Sequence, residues 1–351
     1  MLFWVIFIFI VLVFIKNPTK KGMLKPETWL TLIFVLLVLC IRFDVGYDYF
    51  SYYYTALGPP SIIESRDMEL FDYIIFIFCY KVFDWPPLVF IIYGIITLIP
   101  AYYILYKYSS NFKIAIITYI SFFYLTDMGL LRQAVAITIV LCGYKYLINY
   151  NLGKYLLCCL IAYFFHNSAV CAIFIPLIYR YFNWKSTIVS LITIFIVFGI
   201  ILKPIIELFE YENYLERLDE LKGGGIMMYF NVILIAILLF LVRKKKKIQN
   251  YNLFYILTIG CVMPFLIGGH LGARISSYFL VYLCFLIPEI FKQYKLNERS
   301  LCCFALSIFF ILNIYVSTKS PSKSPFTPYQ TIFQVDDFHH PHFKPIKIAR
   351  R

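Results

Sequence analysis

Charge is scarce in this chain. Asp, Glu, Lys and Arg make up 15% of its 351 residues and the acids number 19, whereas 62% of the residues are hydrophobic. A soluble domain has no interior able to hide that much apolar surface, so the composition excludes one and points to a polytopic membrane protein with a mean hydropathy of +0.78. A phosphate-cradling GxxxxGK loop is missing, as is a Cys/His metal box, which removes the usual sequence signs of a nucleotide site and a zinc site. The ten cysteines all fall inside apolar runs, so they form no disulfide framework and fit small buried hydrophobes. Met1 to Ile15 has no basic stretch before it and no small-residue cleavage site after it, so it reads as a retained first helix with its N-terminus outside. The net charge of +13 does not argue for nucleic acid, because the lysines gather in short loops beside apolar runs, the anchoring pattern of cytoplasmic loops.

What is present is a series of apolar runs: 2–15, 29–41, 70–83, 88–106, 114–126, 131–148, 155–165, 169–179, 187–202, 226–242, 253–267, 275–287 and 301–315. Several fall short of the roughly 20 residues a perpendicular span needs, so tilt or half-membrane helices make up the length. Basic clusters at 16–25, 107–113, 145–154, 180–185, 243–247 and 292–299 are expected on the cytoplasmic side, and the acidic loop 203–225 outside. Even counts between basic anchors fail once, and the run 70–83, which carries Asp72 and Lys81 and ends at Asp84-Trp85-Pro86-Pro87, is the segment expected not to cross. The predicted fold is therefore all-α and polytopic, with about twelve transmembrane helices plus one re-entrant or interfacial helix. Residues 1–316 would form the membrane domain and 317–351 an extramembrane basic, histidine-containing tail.

Polar islands interrupt these runs. Arg42 to Tyr54 packs an arginine, Asp44, Asp48, a glycine and six hydroxyl-bearing side chains into thirteen residues. Carboxylates beside Tyr47, Tyr49, Tyr52, Tyr53 and Tyr54 suit a sugar or a charged lipid headgroup, since pyranose faces pack on aromatics while hydroxyls need acceptors. An interfacial aromatic belt with an Arg–Asp pair is the plainer alternative. Arg132 is expected in the first turn of a helix, where the macrodipole disfavours a cation, so it needs an anion there: Asp127, or a bound phosphate. His166, in Phe165-His166-Asn167-Ser168, is either a hydrogen-bonded packing residue or a functional ionisable group. Gly268 to Arg274 reads as a glycine loop able to approach a ligand, with Arg274 starting the next helix as Arg132 does, or simply as a flexible hairpin. The tail acids and histidines, Asp336, Asp337, His339, His340 and His342, lack ligand spacing and read as solvated or as adventitious metal binders.

Together, three arginines, paired carboxylates, histidines and tyrosines at membrane level favour chemistry on a substrate already activated by a lipid-linked phosphate. The arginines would hold a departing diphosphate in place of a divalent ion, and a carboxylate or imidazole would take the proton of an attacking hydroxyl.

Arg42 with Gly46-Tyr47-Asp48-Tyr49 and Tyr52 or Tyr53, Leu131-Arg132-Gln133 with Ala136, His166-Asn167-Ser168-Ala169, Arg274 with Tyr278 and Phe279, and a closing Pro328-Tyr329 resemble, in that order, the EpsG family of Wzy-like polysaccharide polymerases. The resemblance runs from residue 42 to 329. It departs at Tyr47, where the family often has a small hydroxyl residue, and in the histidine-rich tail. It implies a Wzy/GT-C-like enzyme of the bacterial inner membrane that joins undecaprenyl-pyrophosphate-linked oligosaccharide repeat units into O-antigen, capsule or exopolysaccharide on the external face. No cofactor is expected, nor is nucleic acid; a chain-length regulator and a flippase are the protein partners it suggests. Carried onto this chain, Asp48, His166, Arg132 and Arg274 would be catalytic. Asp48 would be the base, with His166 the second choice, and the two arginines would grip the diphosphate. Arg42, Asp44, Tyr49, Tyr52, Tyr53, Gln133, His270 and Tyr278 would bind substrate, Arg42 either assisting the grip or orienting Asp48. A lipid-linked oligosaccharide flippase is the first alternative, disfavoured because no internal repeat is visible. A membrane O-acyltransferase using His166 or His270 as its base is the second. A purely structural scaffold would have little reason to keep so many costly intramembrane charges.

Overall fold

The structure is a computed structural model that describes residues 26–58, 60–64, 68–83, 85–197, 226–244, 250–267, 269–318, 326 and 329–333. The first helix, α1 (Pro26–Cys40), leads into the two-residue strand β1 (Arg42–Phe43). Short helices α2 (Tyr49–Leu57) and α3 (Pro60–Glu64) precede α4 (Leu70–Phe78), which ends in a π turn over Cys79–Phe83. Pro86 and Pro87 open α5 (Pro87–Tyr108), where a missing N–H costs nothing. The Asn111 side chain caps α6 (Phe112–Phe122) by accepting the Ile114 N–H at 3.2 Å. Then come α7 (Tyr124–Gly129), α8 (Leu131–Cys142), α9 (Tyr144–Leu147) and α10 (Leu152–Tyr163). His166 caps a 3-10 helix (Asn167–Phe174) that continues as α11 (Ile175–Tyr181), followed by α12 (Trp184–Ile196). The second half holds α13 (Ile226–Lys244), α14 (Leu253–Ile267), α15 (Gly269–Leu280), α16 (Leu283–Phe291), α17 (Leu296–Thr318) and strand β2 (Gln330–Thr331).

The all-α expectation holds in its coarse form, while the count of twelve spans is not confirmed among the described residues. Among the described residues, α5 and the Leu296–Tyr315 part of α17 are long and apolar enough to cross a bilayer. The stretch Leu271–Phe291, bent by 45° between α15 and α16, makes a third if it is one broken span. Five further apolar helices are 10–17 residues long. The reason is local: the run 114–126 breaks at Phe123 and the run 131–148 breaks at Gly143, so apolar length does not become helix length. The proposed first helix, the acidic loop 203–225 and the His339–His342 cluster lie outside the described residues.

Helix α8 is the hub, packing against α5, α10, the 3-10 helix and α15. Most of the buried apolar side chains form one large core, and a second, aromatic core joins Phe43, Tyr49, Tyr53, Phe76, Phe90 and Tyr93. The two strands close the chain on itself: Arg42 pairs with Thr331 and Phe43 with Gln330, antiparallel, while the Tyr329 hydroxyl donates to the Val38 carbonyl at 2.7 Å. The residues beyond the last helix therefore meet the end of the first described one.

Candidate functional site at the start of helix α8

The loop after β1 sets the geometry. Gly46 has φ +121°, a conformation that favours glycine, and a Cβ there would collide with the Met128 carbonyl. This close fit seats Gly46-Tyr47-Asp48 on Met128-Gly129, with the Asp48 N–H reaching the Gly129 carbonyl at 3.4 Å. The tyrosine-rich island and the turn before Arg132 thus become neighbours. Asp44, also at positive φ (52°), sits in the same loop, and burial pushes its carboxyl up to about 7.

Arg42 does not reach toward a substrate. It is fully buried, stands 5.1 Å over the Phe90 ring, and its guanidinium donates to the carbonyls of Leu39, Val45 (3.1 Å) and Met128 (3.2 Å). It clamps the loop. Tyr49 and Tyr53 also turn inward: Tyr49 stacks on Phe90 at 4.2 Å, Tyr53 meets the edge of Phe43 at 5.7 Å, and both belong to the aromatic core. Asp48 stands at the N-cap of α2 without capping it through its side chain, and its carboxylate is within electrostatic reach of Tyr52.

Arg132 lies in the first turn of α8, where its anionic partner was expected. That partner is Glu69, not Asp127. Arg132 donates to Glu69 Oε2 and hydrogen-bonds the Tyr52 phenol, while Asp127 accepts from the Tyr119 hydroxyl at 2.9 Å. The other Glu69 oxygen, Oε1, accepts the Asn167 N–H at 3.1 Å. Beside it, Asp72 is fully buried, takes the Tyr93 hydroxyl on Oδ1, and places its carboxyl against that of Glu69. Sequence reasoning missed Glu69 and Tyr93, and noted Asp72 only as a charge. The signal that could have found them is an acid pair three residues apart, at the start of an apolar helix, on one helical face.

His166 closes the cluster from the break between α10 and the 3-10 helix. Its Nδ1 accepts the Ser168 N–H at 3.3 Å and lies 2.7 Å from Ser168 Oγ, which in turn is 3.1 Å from the Tyr278 hydroxyl. An Nδ1 that accepts from an amide is unprotonated, so the neutral ring carries its hydrogen on Nε2 and presents a donor there. Burial, opposed by Glu69 and reinforced by the cations of Arg132 and Arg274, lowers its pKa to about 4.

Arg274 is reached through Gln133, whose side-chain amide donates to the Arg274 carbonyl at 2.9 Å and so ties α8 to α15. The expected glycine loop is a helix: α15 begins at Gly269, and Arg274 stands in its second turn rather than at its start. Gly272 is bare because a Cβ there would strike the Pro264 backbone of α14, a close approach between membrane helices that small residues permit. The His270 side chain lies outside what the structure describes. Arg132 Nε, Arg274 Nε and Gln133 Oε1 are all buried and have no hydrogen-bond partner among the described residues. Buried polar atoms usually find a partner; six others among the described residues also lack one, but these three lie on two helices that Gln133 ties together, where the polar atoms of a ligand would satisfy them. Alongside it, an apolar cavity of about 410 Å³ is walled by Cys171, Phe174, Met263, Ile275 and Phe279 among others, each on an element that also carries a residue of the cluster or packs against one.

Comparison with known families gives a match to the EpsG family over residues 27–331. No curated protein and no solved structure matches the chain.

Proposed function

The chain belongs to the EpsG family, whose members have a polysaccharide polymerase-like function in general, and from that premise we propose that this protein joins polyprenyl-pyrophosphate-linked oligosaccharide repeat units on the external face of the bacterial inner membrane. The observation that carries the reading is the pair of arginines on α8 and α15, bridged by Gln133 and each keeping a buried Nε without a partner among the described residues. Guanidinium groups so placed suit the oxygens of a diphosphate. The neutral His166 adds an N–H on Nε2, so we place it with the anion-binding donors and leave the base to a carboxylate, Asp48. Tyr52 and Tyr278 are the phenols nearest this chemistry; Arg42, Tyr49 and Tyr53 support it from within the fold.

In the reaction, an acceptor sugar hydroxyl attacks the donor's anomeric carbon. The bond from that carbon to the diphosphate oxygen breaks, and its electron pair leaves with the polyprenyl diphosphate. The hydroxyl proton passes to the Asp48 carboxylate. Arg132 and Arg274 stabilise the charge that develops on the leaving group, the role a divalent ion plays in many glycosyl transfers. The apolar cavity beside the cluster offers the isoprenoid chain a place outside water.

Replacing either arginine tests this in cells. Arg132→Ala and Arg274→Ala proteins should insert in the membrane yet give no long-chain polymer, with single units displayed outside. A normal chain-length ladder from either refutes the reading, single units held on the cytoplasmic side indicate a flippase, and a change in acetylation at unchanged polymer length indicates an acyltransferase.

A further inference from the structure

We infer that Glu69 is an internal anion: it occupies the donor site in the empty protein and yields it to the diphosphate of the incoming lipid, an inference that rests on the arginine grip proposed above. The reaction as written leaves Glu69 without a task, yet its carboxylate has the surroundings of a bound phosphate. One oxygen takes a guanidinium, Arg132, and the other takes a backbone N–H, Asn167, at the start of the 3-10 helix. Those two donor types, together at a helix start, are what an anion site uses.

Two features separate a displaceable occupant from a permanent bridge. The Arg132 side chain is 28% exposed and Glu69 11%, so a ligand can reach the pair without the fold opening. Arg132 is also not saturated by its partner, since its buried Nε is unpartnered among the described residues, so the guanidinium keeps a donor that Glu69 does not use. A diphosphate, with more charge and more oxygens than one carboxylate, outcompetes it. After transfer, Glu69 returns to Arg132 and expels the polyprenyl diphosphate, so the same residue that weakens binding speeds release.

The test is binding of inorganic pyrophosphate to the full chain in detergent, by calorimetry, with thermal melting as the control for folding. Glu69→Gln should bind pyrophosphate about tenfold more tightly than the wild type, because a competing charge next to the site is gone. In turnover assays it should complete a first transfer and then stall on its product. Adding Arg132→Ala to Glu69→Gln should abolish the gain. Equal or weaker binding by a Glu69→Gln protein of unchanged melting temperature overturns the inference. Where Glu69→Gln does not fold, Glu69→Asp, which withdraws the carboxylate from one of its two donors, is read by the same criterion. If Glu69→Gln changes nothing while Arg132→Ala weakens binding, the internal anion alone fails; if neither substitution matters, the arginine grip fails with it.

Discussion

Two arginines stand at the edges of the same loop packing, and their surroundings differ in kind. Arg42 is sealed, its guanidinium donating to three main-chain carbonyls and lying over Phe90. Arg132 is part-exposed, held by one carboxylate and one phenol, with a buried Nε that has no partner among the described residues. Carbonyls of a folded loop cannot leave, so Arg42 is a structural cation. A carboxylate side chain can swing away, so Arg132 can change partner. A charge inside a membrane protein is therefore not functional by depth alone: what its donors meet decides the role.

The sharpest way to break this comparison is to truncate both. Arg42→Ala leaves three carbonyls without their charged donor and should cost about 4 kcal/mol, enough to deplete folded protein in detergent melting. Arg132→Ala should melt close to the wild type while losing polymer. Equal melting losses for the two would erase the distinction. A smaller effect is expected from pH. His166 has its pKa lowered from 6.5 to about 4, so the folded state refuses a proton that the unfolded chain accepts. Stability should be level above pH 6.5, fall as pH drops from there to 4, and level again below, by up to about 3 kcal/mol. His166→Gln should flatten that slope, which thermal melts across the range will show.

Much of the cluster was legible because ionisable residues are rare in apolar sequence. Arg132, His166 and Arg274 stand out as interruptions, and the structure brings both arginines within electrostatic reach of His166. The position of Arg274 was misread because glycines at 268, 269 and 272 suggest a loop, whereas α15 begins at Gly269 and Gly272 permits close packing on Pro264. The pairing of Glu69 was not legible, although its acid pair with Asp72 was. Glu69 is one of several acids between Glu64 and Asp72, and no local pattern says which guanidinium it meets across a separation of 63 residues. The inward turn of Tyr49 and Tyr53 escaped for a similar reason, since a tyrosine run fits an aromatic core as well as a sugar site until Phe43 and Phe90 are placed beside it. The span count is not confirmed among the described residues, where Phe123 and Gly143 break continuous apolar runs, features of backbone geometry that hydropathy does not register.

The central claim is that Arg132 and Arg274 form one diphosphate site. It is tested most directly by incubating purified protein with lipid-linked repeat units, without nucleotide or added metal, and sizing the products. The wild type should yield a ladder of polymer with release of polyprenyl diphosphate, and neither Arg132→Ala nor Arg274→Ala, folded to the same extent, should extend a single unit. A full ladder from either variant would contradict the account.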